Sequence, residues 1–168
     1  IGSNFGAATA TILPEPVDYK TDEVELRASY AARGLQAEVG YYGSFFNDEN
    51  RSLTWQNPFR SLPETSNFRA ALEPGNKFHQ FNLSGAFAIT PRIRLSGQAS
   101  TGRMKQNDPF LPYTINPKYS DLPLPRESLD GKVDINTYNF AGKLFARMSN
   151  RLSFTARGKW DKRDNKTP

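Results

Sequence analysis

The sequence has no cysteine and a single histidine, His79. Without cysteine there is no disulfide framework, no thiolate metal site and no Cys-x-x-Cys-His haem attachment. One histidine excludes a multi-histidine metal centre. It also leaves His79 as the sole base for any Ser-His-acid triad, with no nucleophile identifiable beside it. No run of about 18 apolar residues occurs, so no segment reads as a transmembrane helix. A charged-then-apolar leader is also missing after Ile1, and any signal peptide is expected to be already removed or to lie outside this stretch. The net charge of +5 is spread along the chain. No dense basic block with interleaved aromatics points to nucleic acid.

What is present is alternation. Only 37% of the 168 residues are hydrophobic, thin for the core of one soluble domain, while aromatics reach 12%. From Leu152 the odd and even positions separate: Leu152, Phe154, Ala156, Gly158 and Trp160 against Ser153, Thr155, Arg157, Lys159 and Asp161. That is the period of a strand with one apolar and one polar face. The preceding segment divides in the same way, with Tyr138, Phe140, Gly142, Leu144, Ala146 and Met148 on the apolar side. Read alone, 139–148 also fits a helix, because Phe140, Leu144 and Met148 are four apart. A three-residue turn at Ser149-Asn150-Arg151 favours a hairpin that sets Met148 opposite Leu152 and Phe140 opposite Trp160.

Two further hairpins follow the same rule. Val24, Leu26, Ala28 and Tyr30 lead through Arg33-Gly34 to Leu35, Ala37, Val39, Tyr41, Gly43 and Phe45; Gly34 supplies the positive φ of a two-residue turn. Phe81, Leu83, Gly85, Phe87 and Ile89 lead through Thr90-Pro91-Arg92 to Ile93, Leu95, Gly97 and Ala99. The hairpins are expected at about 23–46, 78–104 and 135–162. Long connections rich in Pro, Asn, Asp and Ser separate them, at about 47–77 and 105–134. Short turn, long loop, short turn is the pattern of a transmembrane antiparallel up-and-down β-barrel, with tight periplasmic turns and long extracellular loops. In it the apolar parity meets lipid and the polar parity lines the lumen, so both run along every strand. A soluble antiparallel sandwich shares the period. It would leave loops out of proportion to its strands, and Ala28, Ala37, Gly85 and Gly97 would pack a poor core.

Three stretches carry more distinctive wording: "LPEPVDYKT" (13–21), "YYGSFFNDENRSLTWQNPF" (41–59) and "GRMKQNDPFLPYTIN" (102–116). Together, in this order, they resemble the decahaem-associated outer-membrane β-barrel family of the MtrB/PioB type. The resemblance implies a non-enzymatic, multi-pass protein of the bacterial outer membrane. Such a barrel sheathes a periplasmic multihaem c-type cytochrome inserted in its lumen, for extracellular electron transfer, with an outer-surface multihaem cytochrome as a further partner. No cofactor is expected on this chain; haem c is carried by the partner, which agrees with the missing cysteines. Six strands are too few to close a barrel of that width, the chain ends without a terminal aromatic strand, and the family's N-terminal Cys-x-x-Cys is missing. An internal part of a larger chain is therefore expected. A diffusion porin or substrate-specific channel requires the same polar lumen and remains the alternative. A third reading, an outer-membrane enzyme such as a lipase, would need His79 as its base.

The residues sort accordingly. Lys143, Arg147, Arg157 and Lys159, on one face of one hairpin, are the leading candidates for contact with a lumen partner, joined by Arg94 and Glu38; a solvated wall with local charge pairs is the other reading. Tyr41, Phe45, Tyr138, Phe140 and Trp160 fall near the long-loop ends of their strands, where an aromatic girdle belongs. Trp55, Phe59, Phe110 and Tyr113 lie in the loops, to fold over the rim or dock an outer partner. His79 falls outward at the long-loop end, across from Arg103 with Lys77 beyond, where outer-leaflet lipopolysaccharide phosphates would lie; a merely solvated strand end is its other reading. The stretch Asn47-Asp48-Glu49-Asn50 offers oxygen ligands to calcium, without the spacing of a dedicated calcium loop; turn chemistry is its other reading.

Overall fold

The alternating segments form long strands. A computed structural model describes residues 13–57, 66–112, 114–119 and 132–167. Its strands are β1 (Tyr19–Ala32), β2 (Leu35–Asp48), β3 (Ser52–Gln56), β4 (Asn67–Ala71), β5 (Asn76–Thr90), β6 (Ile93–Gln106), β7 (Val133–Arg147) and β8 (Ser153–Asn165). A single 3-10 turn, Pro117–Tyr119, is the one helical element among the described residues. Six strands make one sheet in the order β1-β2-β5-β6-β7-β8, open at β1 and β8, and β3 and β4 make a second, two-stranded sheet. The stretch between β2 and β5 thus contains a small hairpin of its own.

The chain divides into two units. The sheet unit comprises residues 21–45, 76–106 and 132–168; the loop unit comprises residues 1–20, 46–75 and 107–131.

In the sheet unit, short turns fix the register. Gly34 has φ 79°, the left-handed conformation its turn requires. Pro91 and Arg92 turn between Thr90 and Ile93, which pair after a register shift at Ala88/Thr90. At the third turn, the Met148 and Ser149 amides both donate to the Leu152 carbonyl, at 3.0 and 3.1 Å. From there the antiparallel ladder sets Phe140 opposite Trp160 and Lys143 opposite Arg157. Gly85, Gly97, Gly142 and Gly158 fall in one row across four strands.

The strands run 13 to 15 residues, past the alternating stretches. At the loop end the outward parity turns polar while the other carries Phe78, Met104 and Ile135, so the alternation breaks while the backbone ladder continues.

No hydrophobic side chain is buried among the described residues. Leu26 is 63% exposed, Leu83 57% and Phe140 57%, all on the apolar parity. A soluble sandwich would cover such a face with a second sheet; here it is left for a solvent that is itself apolar. Its height fits a bilayer. From Tyr138 to Met148 the apolar set covers ten residue steps. That is roughly 33 Å of strand, or roughly 23 Å of height at a tilt of about 45°, close to the ~25 Å band of outer-membrane barrels.

Candidate functional site

The polar parity of the same strands forms the candidate site. Two hollows of about 770 and 460 Å³ lie along it. The larger is lined by Gln36, Glu38, Gln98, Lys143, Arg157 and Lys159; the smaller by Glu25, Arg27, Glu38, Gln80, Asn82 and Asp161, among others.

Charge is segregated across this face. At the β1–β2 side stand Glu23, Glu25 and Glu38, with Arg27 held in an ion pair by Glu25. The Tyr42 hydroxyl donates to Glu23 Oε1 at 2.7 Å. Strands β5 and β6 contribute mostly amides and hydroxyls, with Arg94 toward the turns: Gln80 donates to Asn82 Oδ1 at 2.6 Å, and Ser84 pairs with Gln98. At the β7–β8 side, Lys143 stands opposite Arg157, and Lys159 Nζ lies 2.9 Å from Asp161 Oδ2. The wall therefore grades from acidic through neutral to basic.

The hollow brings together four of the six residues expected to face a lumen partner: Glu38, Lys143, Arg157 and Lys159. Arg94 and Arg147 share their face but lie nearer the turns, Arg94 opposite Phe145 and Arg147 opposite Ser153. Two features escape the period-2 reading. Toward the loop end, Phe78, Met104 and Ile135 stand side by side on the polar parity. Their signal in the sequence is a break in alternation. Beneath them the Phe78 ring covers Gly102, where a Cβ would come 3.0 Å from Phe78 Cε2.

On the apolar face, His79 stands opposite Arg103. Its Nδ1 is 2.8 Å from the Tyr41 hydroxyl, and Phe45 meets its ring edge-on at 5.4 Å. Tyr41 also packs on Phe81, at 5.1 Å. Phe140 pairs with Trp160, and Tyr138 with Lys162. All five aromatics assigned to the girdle thus lie on the apolar parity. His79 is thus engaged by Tyr41 and Phe45.

The loop unit is held by side chains. Trp55 pairs with Phe68, ring centroids 6.0 Å apart. Asn116, only 5% exposed, accepts from the Asn67 amide at 3.2 Å and donates to the Asn67 carbonyl at 2.9 Å. It thereby ties the stretch after β6 to strand β4. Arg51 and Arg69 donate to the carbonyls of Pro109 and Pro112. Phe110 is 53% exposed, while Phe59 and Tyr113 lie outside the described residues. Asp48 Oδ1 accepts from the Asn50 amide at 2.8 Å, a local turn of the kind its composition favours. Among the described residues, no three His, Cys, Asp or Glu side chains converge as a metal site.

An open antiparallel meander, apolar and exposed on one parity and charged on the other, defines the wall of a transmembrane β-barrel. Residues 1–168 match the family of outer membrane beta-barrel porins, MtrB/PioB, and the chain belongs to that family. It is an outer-membrane protein. It is also similar to the outer membrane protein MtrB of Shewanella baltica (strain OS185), 29% identical over 157 residues. That match covers 93% of this chain and 21% of the relative, so the chain spans about a fifth of the curated relative's length.

Proposed function

We propose that this chain forms part of the wall of an outer-membrane sheath that holds a multihaem c-type cytochrome in its lumen for extracellular electron transfer. The observation that carries this reading is the charge-graded polar face, acidic at β1–β2 and basic at β7–β8. Such a gradient orients an inserted protein of complementary surface, because opposed potentials set register and approach. The chain acts as a scaffold rather than an enzyme, and the haems belong to the partner. Lys143, Arg157, Lys159 and Glu38 face that partner, with Arg94 and Arg147 nearer the turns. Tyr41, Phe45, Tyr138, Phe140 and Trp160 anchor the wall at the outer interface. Trp55 and Phe110, in the loop unit, serve contact with an outer-surface cytochrome.

The test uses the full-length parent, extracted from outer membranes in mild detergent. Stoichiometric c-type haem that co-migrates through size exclusion, with none covalently on the barrel chain, supports the sheath. Replacing Lys143, Arg157 and Lys159 with Gln should then weaken the complex and flatten its salt dependence. A second reading has support of its own, since the matching family is described as a porin. A haem-free barrel that conducts ions in a planar bilayer would establish that reading and overturn the sheath.

A further inference from the structure

The apolar face ends in a cationic block. Lys77 and Lys105 stand directly opposite each other at the loop end of β5 and β6. Like charges in that position repel, their Cβ atoms about 5 Å apart. The pair one step inside is His79 and Arg103, and Arg103 is engaged by Asp134. Lys105 also stands opposite Asp134, so that one carboxylate serves both cations. On β8 the same parity presents Lys162 and Asp164, the latter 4.0 Å from Lys166 Nζ. Lys77, Arg103, Lys105, Lys162 and Lys166 thus meet Asp134 and Asp164 on the outward parity, from the rim of the apolar band outward.

We propose that this block, centred on Lys77 and Lys105, binds the phosphate groups of lipopolysaccharide in the outer leaflet. The long-loop end of an outer-membrane barrel is its extracellular end. There the phosphorylated sugar of lipopolysaccharide sits at the top of the hydrocarbon, with its acyl chains alongside the wall. A phosphate between the two lysines replaces their repulsion with two charge-assisted hydrogen bonds, and Arg103 offers a further donor. Phe81, Leu83 and Phe140, each more than half exposed below the block, give the acyl chains an apolar surface. The site is on the face away from the lumen, so it stands or falls independently of what the lumen holds.

The experiment uses delipidated full-length parent protein in detergent and bisphosphorylated lipid A as the probe, with binding read by native mass spectrometry. K77Q/K105Q is expected to lower lipid A affinity by about tenfold or more, since each interfacial cation contributes a few-fold. K143Q/R157Q, the same charge change on the polar face, should leave it within about twofold of wild type, as those cations lie outside the interface. Equal binding by K77Q/K105Q and wild type, or equal losses in the two variants, overturns the proposal. A second measurement needs no variant: wild-type protein should bind dephosphorylated lipid A about tenfold more weakly than the bisphosphorylated form. Equal affinity for both forms would refute the assignment even if K77Q/K105Q failed to fold.

Discussion

The sheet unit and the loop unit are held together by different kinds of bond. In the sheet, a continuous backbone ladder satisfies the main chain, and side chains are free to suit whichever solvent their face meets. In the loop unit the regular pairing among the described residues is the short β3–β4 hairpin and the ends of β1 and β2, and side chains tie the stretch after β6 to β4 and to Arg51 beside β3. Asn116 presents an amide oxygen and nitrogen to the Asn67 backbone much as a neighbouring strand would. The contrast teaches where each unit is vulnerable. The sheet tolerates a changed side chain as long as it suits its solvent; the loop unit depends on a few particular ones.

The largest predicted effect tests the sheet's two faces. Leu95, 47% exposed on the apolar parity, lies near the middle of the band. Leu95→Arg should cost about 2–4 kcal/mol in the membrane, the penalty for a lipid-facing cation near the midplane. Gln98→Arg, three residues along the same strand and on the polar face, should cost under about 1 kcal/mol because its head stays in a polar lumen. Urea midpoints for the refolded full-length parent in vesicles measure both. Equal costs would mean that the faces are assigned wrongly.

The next effect belongs to the loop unit. Asn116→Ala removes both bonds to Asn67 and leaves the Asn67 amide without its acceptor, a local loss of about 1–3 kcal/mol. Hydrogen exchange should accelerate roughly tenfold or more across β4, with β5–β8 unchanged, because the opening is local. Acceleration spread over both units would show that the loop unit is not held separately.

A smaller pair of changes sharpens the view of the ladder. At Gly102 a Cβ would lie 2.8 Å from Thr137 Oγ1 and 3.0 Å from Phe78 Cε2, so Gly102→Ala should cost about 1 kcal/mol or more. At Gly158 nothing lies within 4 Å of that position. Gly158→Ala should be neutral or stabilise by up to about 1 kcal/mol, since alanine loses less backbone freedom in a strand. Paired urea midpoints decide the ordering.

How much of this could be read in the sequence follows from the same contrast. The six long strands were legible because lipid and lumen alternate with the side chains, so two solvents leave a period of two. Their register was legible wherever a short turn pinned it, as at 149–151, which sets Phe140 opposite Trp160. The cluster of Phe78, Met104 and Ile135 was not, because it lies beyond the bilayer-matched alternation. Asn116 was invisible for another reason: its bonds reach 49 residues back along the chain, to a segment with no periodicity to suggest them. Of the candidate site, sequence parity identified the face. The hollows that gather Glu38 with Lys143, Arg157 and Lys159 depend on the curvature and side-chain reach of the wall, which alternation does not encode.

The smallest expected effect separates stability from function. Lys159 and Asp161 are two residues apart on one strand, 2.9 Å between charges, with side chains 71% and 46% exposed. A pair so open to solvent gains little from its Coulomb energy and loses freedom by holding its geometry. Lys159→Gln and Asp161→Asn should therefore leave the urea midpoint within error, in low salt and high. If Lys159 faces a cytochrome, the same substitution should still weaken the assembled complex, because a docked partner displaces water and strengthens the remaining field. A change in stability without a change in assembly would reverse that argument and make the basic side of the wall a structural feature alone.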